Sequence, residues 1–74
     1  MSVLSNISGK EAAKIFRKFG YFLDHQTGSH MIFYHESRPT LSIPKHKELA
    51  PGLLRGLIRK SGLTVGEFLK AKQH

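Results

Sequence analysis

No cysteine occurs in this chain of 74 residues, so it lacks the disulfide bonds and thiolate metal clusters that hold many small chains together. A chain this short buries only about 60% of the surface that its unfolded form exposes, which leaves room for one modest apolar core. We therefore predict a single domain over residues 1–74 and exclude a multi-domain enzyme. The lack of cysteine also suits a reducing compartment, and we expect a cytoplasmic location.

The chain carries a large positive charge. Twelve lysines and arginines against five acidic residues give a net charge of +7. Such an excess favours an anionic partner: a nucleic acid, an acidic protein or, as the least favoured of the three, a membrane surface. No apolar run approaches the ~20 residues of a membrane span, and Met1 is not followed by a secretory signal, so we expect no membrane association.

The first predicted element is a helix that begins at Gly9. Ser8 and Glu11 have the spacing of a capping box, and Gly20 is suited to the left-handed conformation that ends a helix. Apolar residues recur between them at helical spacing and form the predicted buried stripe. These are Ala12, Ile15, Phe16 and Phe19.

After Gly20 the sequence changes to short aromatic and β-branched runs, which predict three strands. The strands are expected at Tyr21–Gln26, His30–Tyr34 and Thr40–Pro44, with a tight turn at Thr27–Ser29 between the first two. Both alternating sets of the second strand are apolar, Ile32 with Tyr34 and Met31 with Phe33. Alternation therefore does not decide which set faces the helices.

Two more helices follow. Pro51 suits the first turn of a helix that ends at Gly62, and Thr64 with Glu67 repeats the capping-box spacing at the start of a short third helix. The predicted apolar face of the second helix comprises Leu53, Leu54, Leu57 and Ile58. The order is helix, three antiparallel strands, helix, short helix, which predicts an α+β sandwich with the helices on one side of the sheet.

Among the five histidines, His30 is the best candidate for acid–base chemistry. His25, His30 and His35 are five residues apart, a spacing that alternates faces along a strand and matches no common zinc motif, so we expect neither a metal nor a cofactor. His30 follows Gly28-Ser29, where a turn can hold an imidazole clear of the sheet, and an imidazole exchanges protons near neutral pH. The alternative is that Gly28-Ser29 is only a turn and His30 an edge residue.

A second candidate feature is the basic segment Pro44–Lys47, just before the helix that opens at Pro51. Positive side chains near a helix N-terminus add to the partial charge of its free N–H groups, an arrangement that suits phosphate. Further cations lie on the first and second predicted helices, notably Lys10, Lys14, Arg55 and Arg59. The alternative is a solvated basic face that serves only solubility.

Several segments taken together resemble one family. They are Phe19–Phe22, Gly28–Phe33, Ser42–Leu49, Gly52–Thr64 and Glu67–Leu69. In this order and spacing the chain resembles, from Ser8 to Leu69, the HicA-type toxins, which are small mRNA interferases of bacterial and archaeal toxin–antitoxin pairs. It departs at Leu53, where the family often has threonine.

The resemblance implies a fold like the double-stranded RNA-binding domain, with α-β-β-β-α order. It also implies ribosome-independent cleavage of mRNA, with the histidine of the Gly-Ser-His segment, here His30, as the catalytic residue. Pro44–His46 matches the family's Pro-x-His segment. The implied partner is a HicB-type antitoxin that covers the basic surface and the active site of the toxin.

On this hypothesis, the 2′-hydroxyl of RNA is the nucleophile, and His30 acts as the acid–base group. Ser29 orients the substrate, and the predicted RNA contacts are Lys45, His46, Lys47, Lys10, Lys14, Arg55 and Arg59. The sequence names no second protonating group beyond His46 as the nearest candidate. Two alternatives stay open: a non-catalytic RNA-binding module with the same fold, and an inert domain that binds an acidic protein. We expect the free chain to be a monomer.

Overall fold

The chain folds as one helix, three antiparallel strands and two further helices. The structure, a computed structural model, describes residues 4–72. Its elements are α1 (Gly9–Arg17), β1 (Phe22–Thr27), β2 (His30–Tyr34), β3 (Leu41–Pro44), α2 (Pro51–Ser61) and α3 (Val65–Lys72). The strands form one sheet in the order β1-β2-β3. This layout confirms the predicted α+β fold, which resembles the double-stranded RNA-binding domain.

Helix α1 begins where the capping pattern predicts. The Ser8 hydroxyl accepts a hydrogen bond from the Glu11 amide at 3.0 Å, which satisfies one of the free donors of the first turn. The helix ends at Arg17, earlier than predicted, because a turn of three residues follows before the chain reverses. Gly20 lies at the end of that turn with φ 99°, and the Gly20 and Tyr21 amides donate to the carbonyl oxygens of Arg17 and Phe16, so the left-handed glycine closes the end of the helix as predicted.

Strand β2 places Met31 and Phe33 against the helices. Both side chains are buried, and they pair with Ile43 and Leu41 of β3, which are also buried. Tyr34, from the other alternating set, is exposed on the outer face of the sheet. The structure thus answers the question that the apolar pattern left open. The largest fully buried apolar side chains of the core are Phe16, Phe33, Phe68, Leu4, Ile7, Leu41, Ile43, Leu49, Leu54 and Ile58.

The hairpin between β1 and β2 has a short turn and one β-bulge. Thr27 pairs with His30, so the turn has only two residues, and Gly28 takes φ 53° at its first position. A β-bulge shifts the register between Leu23 and His25, whereas His25 keeps the register of the turn and pairs with Ile32. Paired residues share a face, and His25 therefore lies on the same outer face as His30. The prediction that these two histidines alternate faces was wrong, because a two-residue turn lies between them and the simple period of one strand does not continue through it.

Helix α2 begins with Pro51 and is capped by Gly62 at φ 86°, as predicted. Its buried side chains are Leu54, Ile58 and Ser61, whereas Leu53 is 42% exposed. The prediction of Leu53 as part of the apolar face was wrong, because only a narrow stripe of this helix contacts the rest of the fold. A residue one position before Leu54 is turned about 100° away from that stripe.

Helix α3 has a complete capping box. The Glu67 carboxylate accepts from the Thr64 amide at 2.8 Å, and the Thr64 hydroxyl accepts from the Glu67 amide at 3.0 Å. Phe68 is buried against Phe16 of α1, with ring centroids 5.2 Å apart. Within residues 4–72, no helix has the length and apolar character that crossing a membrane requires.

Candidate functional site

His30 stands at the start of β2, directly after the two-residue turn. Its side chain is exposed on the outer face of the sheet, and its neighbours across the strands are Thr27 on β1 and Pro44 on β3. A ring in this position is open to solvent and to a ligand that approaches the outer face. The site is built on paired strands, so the backbone at His30 is held in place on both sides.

A backbone hydrogen bond brings the basic segment to this histidine. The Lys45 amide donates to the carbonyl oxygen of Ser29 at 2.8 Å, one step beyond the last β2–β3 pair. Lys45 therefore lies across from Ser29, the residue that precedes His30, and both side chains are exposed. The structure thus brings Ser29, His30 and Lys45 together at one end of the sheet.

The loop after β3 is attached to the beginning of α1. The Gly9 amide donates to the His46 carbonyl oxygen at 2.9 Å, and the Leu49 amide donates to the Ile7 carbonyl oxygen at 2.7 Å. These bonds place Lys10, the second residue of α1, beside the loop that carries His46 and Lys47. Lys10, His46 and Lys47 are all exposed, so their charges are available at this end of the molecule.

The other basic residues in α1 and directly after it differ in their surroundings: some are open to solvent, and others contact neighbouring parts of the fold. Lys14 is exposed and lines a groove with Lys10, Arg17 and the β2 residues Met31 and Phe33. The Arg17 guanidinium lies over the Phe33 ring at 5.5 Å, a cation–π arrangement. The Lys18 ammonium donates to the Ala71 carbonyl oxygen at 2.7 Å and so joins α1 to α3.

Arg55 and Arg59 lie on α2, apart from the residues around Ser29 and Lys45. They line a groove with Leu63 and Thr64, at the connection between α2 and α3. The predicted RNA contacts therefore form two groups. One group surrounds the Ser29–Lys45 pair and the start of α1, and the second lies along α2.

His35 has a structural role. Its Nε2 atom lies 2.8 Å from the Phe19 carbonyl oxygen, and its Nδ1 atom accepts from the Ser37 amide at 3.0 Å. A carbonyl oxygen only accepts, so Nε2 carries the proton and both ring nitrogens are engaged. The ring also packs against Tyr21, with centroids 4.9 Å apart. These contacts hold the connection after α1 against the connection after β2.

Asp24 and His25 form a pair that the sequence reasoning missed. The Asp24 carboxylate lies 2.8 Å from Nδ1 of His25, and more than half of each side chain is exposed. In a regular strand, adjacent residues point to opposite faces, and the pair would be separated. The bulge between Leu23 and His25 removes this separation. A single extra residue within a strand leaves no periodic signal that could have shown it.

A comparison with known protein families matches most of the chain. The family described as "HicA toxin of bacterial toxin-antitoxin" has a model that matches residues 9–63, which is more than half of the chain. No curated protein matches the chain. The matched range contains α1, all three strands and α2, together with Gly28–His30 and the basic segment Pro44–Lys47. The chain therefore belongs to the family of HicA toxins of bacterial toxin–antitoxin systems.

Proposed function

We propose that this toxin is an mRNA interferase, an endoribonuclease that cleaves mRNA through His30 and needs no metal ion. The observation that carries the proposal is the exposure of His30 beside the bonded pair of Ser29 and Lys45. Cleavage of a phosphodiester requires a group that transfers protons and a nearby positive charge, and an exposed imidazole and an exposed lysine can supply them. Membership of a toxin family supports a reaction that harms the cell, and mRNA in the cytoplasm is an accessible target.

The chemistry follows from RNA itself. The 2′-hydroxyl lies beside the scissile phosphate, so removal of its proton produces an internal nucleophile. Attack on phosphorus forms a pentavalent centre with extra negative charge, and the 5′-oxygen leaves with a proton. A protein thus needs an acid–base group and a source of positive charge, which His30 and Lys45 supply in this proposal.

The remaining basic residues hold the RNA. Lys45, His46, Lys47 and Lys10 contact the scissile phosphate and its neighbours, and the Ser29 hydroxyl orients the ribose-phosphate. Lys14, Arg55 and Arg59 bind flanking phosphates along α1 and α2. Their exposed positions support these roles, because an exposed cation can neutralise a phosphate and release its counterions.

A toxin of a toxin–antitoxin system has an antitoxin partner. We propose that this partner is a HicB-type protein that covers His30 and the surrounding cations. The net charge of +7 supports an acidic binding surface on that partner. We also propose that the free toxin acts as a monomer.

The test is cleavage of a purified, synthetic mRNA by the wild-type chain and by His30→Ala, with EDTA present. Wild type should cleave, and His30→Ala should lose cleavage while it keeps its circular dichroism spectrum and its affinity for RNA. Gln26→Ala, an exposed substitution on the same hairpin, should cleave normally. Cleavage that survives in His30→Ala contradicts the catalytic assignment. Cleavage that EDTA abolishes contradicts metal independence, and RNA binding without cleavage by wild type indicates the non-catalytic module.

A further inference from the structure

The geometry points to His25, oriented by Asp24, as the second acid–base group of the cleavage reaction. This inference rests on the proposed endoribonuclease activity and extends it. Cleavage requires one group that takes the proton of the 2′-hydroxyl and another that gives a proton to the departing 5′-oxygen. With His30 in one role, a partner is needed on the same side of the sheet.

The hairpin register puts His25 in that position. His25 pairs with Ile32, and Thr27 pairs with His30, so the two histidines are diagonal neighbours on adjacent strands and on one face. Diagonal neighbours of this kind are about 7–8 Å apart, within reach of long or aromatic side chains. The two-residue turn is the cause, since the pair of Thr27 with His30 at its mouth sets a register in which His25 lies opposite Ile32, on the outer face.

The contact with Asp24 prepares the ring of His25 for proton transfer. The ionised carboxylate only accepts hydrogen bonds, so Nδ1 of His25 carries a proton and donates it to Asp24 at 2.8 Å. This fixes the ring orientation and leaves Nε2 for the substrate, as a carboxylate does for other acid–base histidines. Both side chains are more than half exposed, so no rearrangement is needed to admit RNA.

Two histidines in this arrangement can flank a phosphate. The nucleophile and the leaving group lie on opposite sides of phosphorus in an in-line reaction, and each proton transfer needs a hydrogen bond of about 2.6–3.2 Å. One imidazole removes the proton of the 2′-hydroxyl as the 2′-oxygen bonds to phosphorus. The other imidazole gives its proton to the 5′-oxygen as that bond to phosphorus breaks. The products are a 2′,3′-cyclic phosphate and a 5′-hydroxyl end.

The other titratable groups nearby are less suited to this role. On the outer face, His25 is neighboured by Asp24 on its own strand and by His30 and Tyr34 on β2. Tyr34 lies at the far end of β2, where its ring packs against Phe22 with centroids 5.5 Å apart. His46 lies on the loop after β3, so β2 separates it from β1. Within residues 4–72, His25 alone combines the shared face, the adjacent strand and an orienting carboxylate.

The experiment compares wild type with His25→Ala, His30→Ala and Gln26→Ala on two RNA substrates. One has the ordinary linkage, and the other has sulfur in place of the bridging 5′-oxygen. The thiolate leaves without a proton, so loss of the general acid no longer slows the reaction. On ordinary RNA, His25→Ala should be about 10²–10⁴-fold slower than wild type, which is the usual contribution of one acid–base group. Its affinity for RNA and its melting temperature should be unchanged.

With the sulfur substrate, the histidine variant that lacks the general acid should regain the wild-type rate, and the variant that lacks the general base should not. Gln26→Ala should behave as wild type on both substrates, because its side chain lies on the opposite face of β1. Full activity of His25→Ala on ordinary RNA overturns the inference, as does rescue of neither variant or of both. A wild-type chain that fails to cleave overturns the proposed function itself, so the two failures are distinguishable.

Asp24→Asn tests the positioning role. Asparagine keeps an oxygen acceptor for Nδ1 of His25 but removes the charge. The variant should lower kcat by a smaller factor than His25→Ala, with KM unchanged, and it should have no effect in a His25→Ala background. If Asp24→Asn lowers kcat as much in the His25→Ala background as in the wild-type chain, the positioning role is contradicted.

Discussion

Gly9 lies so close to the carbonyl oxygen of Pro44 that a β-carbon at position 9 would overlap it. The Gly9 amide also donates to the carbonyl oxygen of His46, so the first residue of α1 contacts both the last residue of β3 and the loop that follows it. Only glycine allows two backbones to approach in this way. This contact joins the start of α1 to the segment that carries the proposed phosphate ligands.

Gly9→Ala should therefore destabilise the fold, although alanine is the better helix former. Overfilling a tight contact costs about 1–3 kcal/mol, more than the ~1 kcal/mol that alanine adds to helix propensity. Urea denaturation measures the change. Gly56→Ala is the matched control, because position 56 lies within α2 with open space around it, and it should stabilise the chain by about 0.4–1 kcal/mol. Equal effects of the two substitutions would contradict the close approach at Gly9.

Tyr21 should make stability depend on alkaline pH. Burial raises the pKa of Tyr21 above its ordinary value of 10.0, and the nearby Arg38 guanidinium offsets this only in part. The unfolded chain then loses the phenol proton at a lower pH than the folded chain does. The stabilisation is complete below about pH 10 and is lost as pH rises through the folded pKa.

The measurement is the unfolding free energy of wild type and Tyr21→Phe between pH 7 and pH 11. At neutral pH the variant should be less stable by about 0.5–1.5 kcal/mol, because it lacks the bond from the Tyr21 hydroxyl to the Pro39 carbonyl oxygen at 2.7 Å. Above pH 10 the difference should shrink. Lysine titration affects both proteins alike, and a constant difference over this range would contradict the prediction.

Leu53 and Leu54 should differ sharply in their tolerance of substitution. Leu54 is fully buried, and Leu54→Ala should cost about 2–5 kcal/mol through lost contacts and the cavity that remains. Leu53 is 42% exposed, and Leu53→Ala should change stability by less than about 0.5 kcal/mol. Thermal unfolding, monitored by circular dichroism, distinguishes the two variants. Similar losses would mean that α2 packs through a broader face.

The two groups of cations should have different effects on RNA binding. Lys45→Gln should lower the slope of log K against log salt by about one on any RNA, because one phosphate contact is lost. Arg59→Gln should lower this slope only on a long RNA, because the groove that Arg59 lines lies apart from the Ser29–Lys45 pair. Fluorescence anisotropy over a salt series, with a short and a long oligonucleotide, measures both slopes. An unchanged slope for Lys45→Gln would remove Lys45 from the interface.

Local chemistry in the sequence was enough to predict most element boundaries. The Ser8–Glu11 and Thr64–Glu67 pairs act over a single turn, so their spacing is visible in the sequence and their hydrogen bonds form as expected. Pro51 likewise occupies the first turn of α2 because its missing N–H costs nothing there. Such signals depend on three or four neighbouring residues and need no knowledge of the rest of the fold.

The features that depend on distant parts of the chain were not predictable. The bonds from Gly9 to His46 and from Leu49 to Ile7 use backbone atoms, which every residue type supplies. The bulge beside Asp24 adds one residue to a short strand and leaves no mark in its hydropathy. For the candidate site, the sequence predicted that His30 is exposed at a turn but not that His25 lies on the same face.

The two faces of the sheet contribute differently to the stability of the fold. Met31, Phe33, Leu41 and Ile43 keep the chain folded, whereas the outer surface holds His25 and His30 and contributes little to the core. Substitutions on that outer surface should leave the melting temperature nearly unchanged. A lineage of such toxins can therefore vary this outer surface without first acquiring compensating changes in its interior.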